Sequence, residues 1–473
     1  MLGGDPLLSG HIDLAVVLIV ILKVVCVFAF LLVATMLMIW FERKVVSDFQ
    51  NRVGPNTAGP FGILQTLADG IKFFFKEDLI PDRAERRVFI LAPLLTVVPA
   101  FLLFTIVPFG GDFSNGHDGS VEIFGKTTYL QLADPAIGIL FALAMSSIAV
   151  YGVMLAGWSS GSKYPLIGSV RASAQMVSYE AALGLSVCAV VLTTGTLSTH
   201  GIVMAQAGSG WGGFIPHWNL IATGFVPFVV FLLASQAELN RPPFDLVEAE
   251  QELVGSYHTE YSSIRFALFF VAEFMNSVTM AAIIVTLFLG GPAGPALLGP
   301  GWLWGVIWFL LKMTGFLFLF VWVRSTVPRV RYDQLMDLGW KVLIPLSLGW
   351  ILLLATFWVA RDQHWNGFIT VAIGAVVGLT GYGLLKAAIA TSKLADSKGW
   401  STDGLPRWFS RQPAPNRPQA TGNNAISERK GTQADSRSRS SRSQSLRRRN
   451  GKVHRLRTLR RCMSRQVHLR AWR

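Results

Sequence analysis

Charge is scarce in this chain. Of 473 residues, 15% are Asp, Glu, Lys or Arg and 52% are hydrophobic. Soluble domains carry about 25% charged residues, so an ordinary soluble class is excluded. Cysteine is nearly absent as well. Cys26, Cys188 and Cys462 are the three, and none is spaced as C-x-x-C. That excludes a disulfide framework and any zinc or iron–sulfur centre built from this chain, so no metal site is expected. Phosphate-cradling loops are missing too. The stretch "NRVGPNTAGPFG" (51–62) turns on Gly and Pro but has no strand–loop–helix setting, so it is neither a Walker nor a dinucleotide fingerprint. No NADH, ATP or other cofactor is expected on this chain.

What is abundant is apolar sequence in long runs. A helix needs about 20 residues to cross the hydrocarbon core. Nine runs qualify as candidate spans: 12–41, 89–109, 131–157, 173–197, 218–237, 264–290, 302–324, 341–360 and 367–391. The fold class is therefore all-α, a polytopic transmembrane helix bundle. The first run is too long for a signal-peptide core and no small-residue cleavage site follows it, so it is expected to remain as a span.

Lys and Arg in the loops orient the bundle. Arg43, Lys44, Arg52, Lys72, Lys76, Arg83, Arg86, Arg87, Lys163, Arg171, Arg241, Arg324, Arg329, Arg331 and Lys341 fall on one side, and only Lys126 and Arg361 on the other. The N-terminus is expected outside and the C-terminal tail inside the bacterial cell membrane. The net charge of +14 belongs to that tail. From Trp400 onward nineteen Lys and Arg face three acids, which leaves the first 399 residues at −2. Residues 400–473 are Arg/Ser-rich without apolar period and are expected to be disordered. Such a tail can touch anionic lipid headgroups. Nucleic-acid binding is not expected, because no aromatic–basic module interleaves it.

On the inner side, "GILQTLADGIKFFFKED" (62–78) repeats apolar residues at helical spacing: Ile63, Leu64, Leu67, Ile71, Phe74 and Phe75. This reads as an amphipathic helix, lying at the interface or packed on neighbouring protein. Further on, "AELNRPPFDLVEAEQELVGSYHTEYS" (237–262) holds Glu238, Asp245, Glu248, Glu250, Glu252 and Glu260 against Arg241 and His258. If 248–252 is helical, Glu248 and Glu252 share a face. Crowded carboxylates near a membrane repel one another and lose hydration, and both effects ease proton uptake. Glu180 and Glu273 fall inside spans, as do Lys23 and Lys312, with Asp134 close by. One such residue alone is ordinarily a structural ion pair or a snorkelling end. A set of carboxylates gathered toward one side favours a proton- or cation-conducting path.

Four stretches carry a resemblance: "FERKVVSDFQNRVGPNTAGPFGILQTLADGIKFFFKED", "GWSSGSKYPLIGSVRASAQMVSYE", the acidic strip above and "PRVRYDQLMDLGWK". In order and on one side of the membrane, they resemble the signature segments of the H-subunit family of proton-pumping NADH:quinone oxidoreductase, respiratory complex I. The likeness covers about 12–360. It implies an eight-helix bundle whose inner loops dock the peripheral arm, beside other membrane-arm subunits and lipid. It also implies a chamber for the substrate quinone, ubiquinone or menaquinone, and a carboxylate relay that couples quinone reduction to proton translocation. Carried over residue by residue, the chamber positions are Glu42, Arg43, Asp69, Lys72, Arg241, Phe244, Asp245 and Arg324. The relay positions are Glu180, Glu238, Glu248, Glu250, Glu252, Glu260 and Glu273. Phe73, Phe74 and Trp40 are expected to help wall the chamber. The segment 361–399 is an extra probable helix beyond the family pattern. Two other readings stay open, a membrane subunit of a related ion-pumping hydrogenase and a stand-alone secondary transporter.

Overall fold

A computed structural model describes residues 5–8, 13–113, 117–207, 217–245, 253–295 and 300–363, with scattered positions between 374 and 386. The chain divides into Met1–Ser397 and Lys398–Arg473, and every described residue lies in the first unit. Its helices are α1 (Leu14–Phe49), α2 (Gln65–Phe75), α3 (Arg86–Phe104), α4 (Gly138–Ser159), α5 (Lys163–Thr194), α6 (Thr199–Gln206), α7 (Asn219–Ala222), α8 (Phe225–Glu238), α9 (Ser263–Phe288), α10 (Gly301–Thr326) and α11 (Tyr332–Asp362). Seven of them are long and apolar enough to cross a membrane: α1, α3, α4, α5, α9, α10 and α11. The chain is a polytopic helical bundle.

The sequence-derived spans differ from these helices mainly at one end. Three helices overrun their apolar runs, because a helix continues past the hydrocarbon wherever its backbone bonds close and its polar side chains reach water. α1 runs on to Phe49 and so carries Glu42, Arg43 and Lys44. α5 begins at Lys163, ten residues before the predicted span, with Pro165 in the first turn, where its missing N–H costs nothing. α11 starts at Tyr332 and passes through a π-helical segment, Leu338–Leu343, just ahead of Pro345. A π turn at that point makes room for the proline ring. The fifth predicted span is a shorter helix, the 14-residue α8, entered through α7. The ninth lies largely outside the described residues; its described positions, from Gly374 to Lys386, are helical. The extra-helix segment is otherwise outside them, as is 400–473.

α9 is the axis of the bundle and its most buried helix. Ala281, Ile284, Val285, Leu287 and Phe288 are fully enclosed near its C-terminal end. The final carbonyls there are met by Lys312 of α10, whose Nζ donates to Leu289, Gly291 and Ala293 O at 2.8, 3.0 and 2.8 Å. A cation at a helix C-terminus satisfies orphan acceptors and the dipole together. α3 and α4 approach closely at Gly152, where a Cβ would stand 3.0 Å from Ala92 O and 2.5 Å from Thr96 Cγ2. Small residues permit such contact in membranes. α3 contains Pro93, which cannot bond the carbonyl four residues back. That carbonyl, Phe89 O, accepts instead from the Tyr261 hydroxyl at 3.2 Å. The Phe89 and Tyr261 rings stack at 3.9 Å.

At the end of the bundle where α3 and α9 finish, β1 (Ser120–Ile123) and β2 (Lys126–Tyr129) form an antiparallel hairpin. Its turn residues Phe124 and Gly125 both have positive φ, 52° and 73°, as a two-residue type I′ turn requires. The hairpin stands over a polar knot. Lys23 donates to Asp5 at 2.6 Å and to Thr128 Oγ1 at 2.5 Å, and Gln131 Nε2 donates to Ile106 O and Thr199 Oγ1, both at 2.7 Å. Beside it, Ser198 donates to buried Asp134 at 2.6 Å, and His200 stacks on Tyr129 at 4.0 Å.

Candidate functional site

Glu42 and Arg43 are neighbours on α1, so their side chains leave the helix about 100° apart. Glu42 turns into the bundle and is 6% exposed. Arg43 turns outward and meets Asp69 of α2 at 2.7 Å. Asp69 is also held by Gln65 Nε2 at 3.3 Å, one helical turn earlier. This pair ties the amphipathic helix to α1.

Glu42 takes two guanidinium groups. Arg241, placed just after α8 by a turn with Asn240 at φ 52°, donates through Nη1 to Oε2 at 2.8 Å and Oε1 at 3.1 Å. Arg324, in the last turn of α10, closes on Glu42 from the other side. Arg241 reaches further. Its Nε lies 2.8 Å from Glu273 Oε1 of α9, an ion pair by distance though not aligned as a hydrogen bond. Its plane lies over the Phe274 ring at 3.9 Å. One arginine therefore joins α1, α8 and α9, a role its flat fork suits and a lysine's point charge does not. The cluster balances two acids with two guanidinium groups, the condition under which buried charge is tolerated.

Below this cluster the acids have no cations. Glu238, the last residue of α8, is 6% exposed. It accepts a hydrogen bond from Ser146 of α4, and its Oε2 has no partner among the described residues. Glu180 of α5 accepts from Ser147. Among the described residues no Lys or Arg pairs with either. A cavity of about 50 Å³ lies between Glu273 and Glu238, lined also by Asn240, Tyr257 and Asn276. A second, about 20 Å³, lies against Glu238, Ser146 and Asn276. Either is large enough for water. On the other flank of Glu42 a cleft of about 350 Å³ opens outward, lined by Arg43, Arg52 and Arg324 with Val46, Val53 and Pro55. That is the lower end of ligand-pocket size.

The loop after α8 is stapled by Gln175, whose Nε2 donates to Ala237 O at 2.7 Å and Phe244 O at 2.9 Å. Asp245, 2% exposed, is met by Arg329 at 3.1 Å. His258 holds its Nδ1 against Gly255 O. A carbonyl only accepts, so Nδ1 carries the proton. Burial holds this imidazole down to about 4.

Comparison with known sequences identifies the family. A family model described as NADH dehydrogenase matches residues 22–355. The H subunit of NADH-quinone oxidoreductase from Frankia alni is 52% identical over 381 residues, 79% of this chain and 80% of the relative. The protein of the same name from Frankia casuarinae is 52% identical over 368 residues, 76% and 77% of the two chains. That from Streptomyces avermitilis is 46% identical over 353 residues, 73% and 75%. The chain belongs to the H-subunit family of NADH-quinone oxidoreductase.

Of the chamber positions carried over to this family member, Glu42, Arg241 and Arg324 meet in one cluster, with Arg43 and Asp69 beside it. Asp245 is buried on a separate pair. Phe244 sits in the core, 3% exposed, its ring 6.1 Å from that of Tyr179, and lines none of the cavities above. Lys72 is exposed on α2 and makes no ion pair among the described residues. Phe73 packs on Phe266, Phe74 is 72% exposed, and Trp40 Nε1 donates to Phe61 O. Of the relay positions, Glu273 joins the arginine cluster, while Glu238 and Glu180 rest on serines. Glu260 is partly buried ahead of α9 and makes no ion pair among the described residues. Glu248, Glu250 and Glu252 lie outside the described residues.

Sequence reasoning passed over Ser146, Ser147, Gln175, Asn276 and Arg329. The two serines carried a signal, a polar doublet within the apolar run "FALAMSSIAV" (141–150). Arg329 was visible only as loop charge, and nothing local distinguished Gln175 or Asn276.

Proposed function

We propose that this chain walls the quinone chamber of an NADH-quinone oxidoreductase and starts the path by which quinone reduction drives protons across the membrane. The observation that carries this reading is the continuous polar series from Arg324 and Glu42 through Arg241 and Glu273 to Glu238 and Glu180. It begins at an outward cleft and runs inward past two water-sized cavities. Two-electron reduction of a quinone builds negative charge and takes up two protons. Guanidinium groups at the cleft stabilise that charge, and its apolar flank suits a ring and isoprenoid tail. The acids behind it respond together, since closely coupled groups titrate as a set. The acidic strip with Glu248, Glu250 and Glu252 belongs to the same relay.

The exposed apolar side chains of α2, Leu67, Ile71, Phe74 and Phe75, support docking of peripheral-arm protein at this end. The electrons come from a partner subunit. The loop cations support an orientation with the N-terminus outside, the cluster and the basic tail cytoplasmic, and the remaining surface against lipid and other membrane-arm subunits.

The test is Glu238→Gln in the assembled complex. Quinone reduction and proton pumping should each fall by at least about a hundredfold, the lower end of the range for a lost acid–base group. NADH oxidation by ferricyanide, which bypasses this subunit, should hold. Wild-type pumping in that variant would remove the relay.

A further inference from the structure

The bundle treats its buried acids in two ways. Glu42 and Glu273 are locked to arginine, whereas Glu238 and Glu180 are held by hydroxyls from consecutive residues of one helix. A carboxylate bound to a guanidinium is committed to its charge. One held by a hydroxyl exchanges a proton without breaking an ion pair, because a hydroxyl donates and accepts at the same oxygen.

The serines differ from each other. Ser146 donates to Glu238 alone among the described residues. Ser147 has one proton and two acceptors, Glu180 and its own helix carbonyl Leu143 O at 3.1 Å. The second is the usual resting place of a serine hydroxyl inside a helix. Neighbouring helix positions diverge by about 100°, which is why one doublet on α4 serves both α8 and α5.

We propose that Ser146 and Ser147 are positioning residues of the relay: Ser146 fixes Glu238 by one oxygen and leaves the other free to exchange a proton, and Ser147 is a two-position donor that follows the protonation of Glu180. This rests on the relay reading above. With Glu180 ionised, Ser147 donates to it. When Glu180 gains a proton, its new O–H donates to Ser147 Oγ, and the serine proton swings to Leu143 O. The arriving proton leaves the water that carries it, so one O–H bond breaks there as one forms on Glu180, and Ser147 keeps its own. Both states leave every donor matched. Among the described residues Ser146 has no second acceptor, so Glu238 Oε2, which carries no hydrogen bond there, is where protons enter and leave that acid.

The experiment uses the assembled complex in proteoliposomes, with Ser147→Ala, Ser147→Thr, Ser147→Cys and Glu180→Gln. Ser147→Ala should cut proton pumping by about tenfold, less than the roughly hundredfold or more that goes with an acid–base group itself, because the carboxyl remains. It should also displace the pH–rate profile towards higher pH, because the ionised carboxylate has lost a donor. Ser147→Thr keeps the hydroxyl and should restore both to within about twofold of wild type. In difference infrared spectra, the carboxyl C=O band that disappears in Glu180→Gln should move to higher frequency in the alanine variant and stay in place in the threonine variant. A Ser147→Ala complex with an unshifted band and a wild-type pH profile overturns the switch, and an inactive Glu180→Gln alongside it leaves the relay standing. Unaltered pumping in Glu180→Gln removes the relay itself. If the alanine variant does not assemble, Ser147→Cys decides, being a weak donor of similar shape: a wild-type profile and band there also overturn the proposal.

Discussion

Two buried polar clusters stand at opposite ends of this bundle. At the hairpin end, Asp5, Lys23, Thr128 and Gln131 form a closed knot with Thr199 and Ile106 O, in which the Gln131 carbonyl oxygen is the one unmatched side-chain atom. At the other end, Arg241 Nη2, Asn240 Oδ1, Gln175 Oε1 and Glu238 Oε2 all lack a protein partner among the described residues. Both ends bury ions at a cost that only pairing offsets. The first is saturated but for that one oxygen and serves structure. The second keeps capacity in reserve beside water-sized space, as a site that must accept charge and protons requires. Spare hydrogen-bonding capacity separates the two.

The strongest way to break this comparison is Arg241→Met. It takes a guanidinium from both Glu42 and Glu273 and leaves Glu42 to Arg324 alone, and losing one partner of a buried pair costs about 3–5 kcal/mol. Quinone reduction should fall by at least about a hundredfold with the ferricyanide rate intact. Arg241→Lys should recover only part of it, because the bridge to α9 needs the fork. At the hairpin end, Lys23→Met should cost about 3 kcal/mol of stability, seen as a lower unfolding temperature in detergent. Turnover per intact complex should stay within about twofold. A large loss of turnover there would erase the distinction between the ends.

A pH experiment sharpens it further. His258 has its folded value lowered to about 4 from an ordinary 6.5. A lowered group gives stability that is present above the unfolded value and lost as pH falls through the folded one. The turn containing His258 should therefore loosen between about pH 6.5 and 4, by roughly 3 kcal/mol. Hydrogen exchange over residues 253–262 measures this, and His258→Gln should flatten the dependence. The smallest effect is expected from Tyr179→Phe, which deletes one buried hydrogen bond to Leu335 O at 2.8 Å. About 1 kcal/mol should be lost, read from thermal unfolding, with proton pumping unchanged.

Much of this was legible in the sequence. Apolar runs located the membrane helices because hydrocarbon thickness fixes their length, and the 3.6-residue repeat of Leu67, Ile71 and Phe74 announced α2. The candidate acids were visible because ionisable residues stand out against an apolar background. What remained hidden was partnership. Glu42 and Arg241 are 199 positions apart, and nothing in either neighbourhood says that they meet. Arg329 looked like loop charge, yet it neutralises Asp245. Phe244 looked like a cavity wall, yet Tyr179 and Gln175 draw it into the core. Helix ends were misjudged by up to ten residues where polar turns project beyond the lipid, since hydropathy falls before the helix does.

The link between Pro93 and Tyr261 has an evolutionary corollary. A proline normally weakens its helix; here the vacated carbonyl is a docking port that the end of the acidic strip occupies with a single phenol. The two positions are thereby yoked across 168 residues of chain. Lineages that restore an amide at 93 lose the reason for a tyrosine at 261, and the pair should drift in concert.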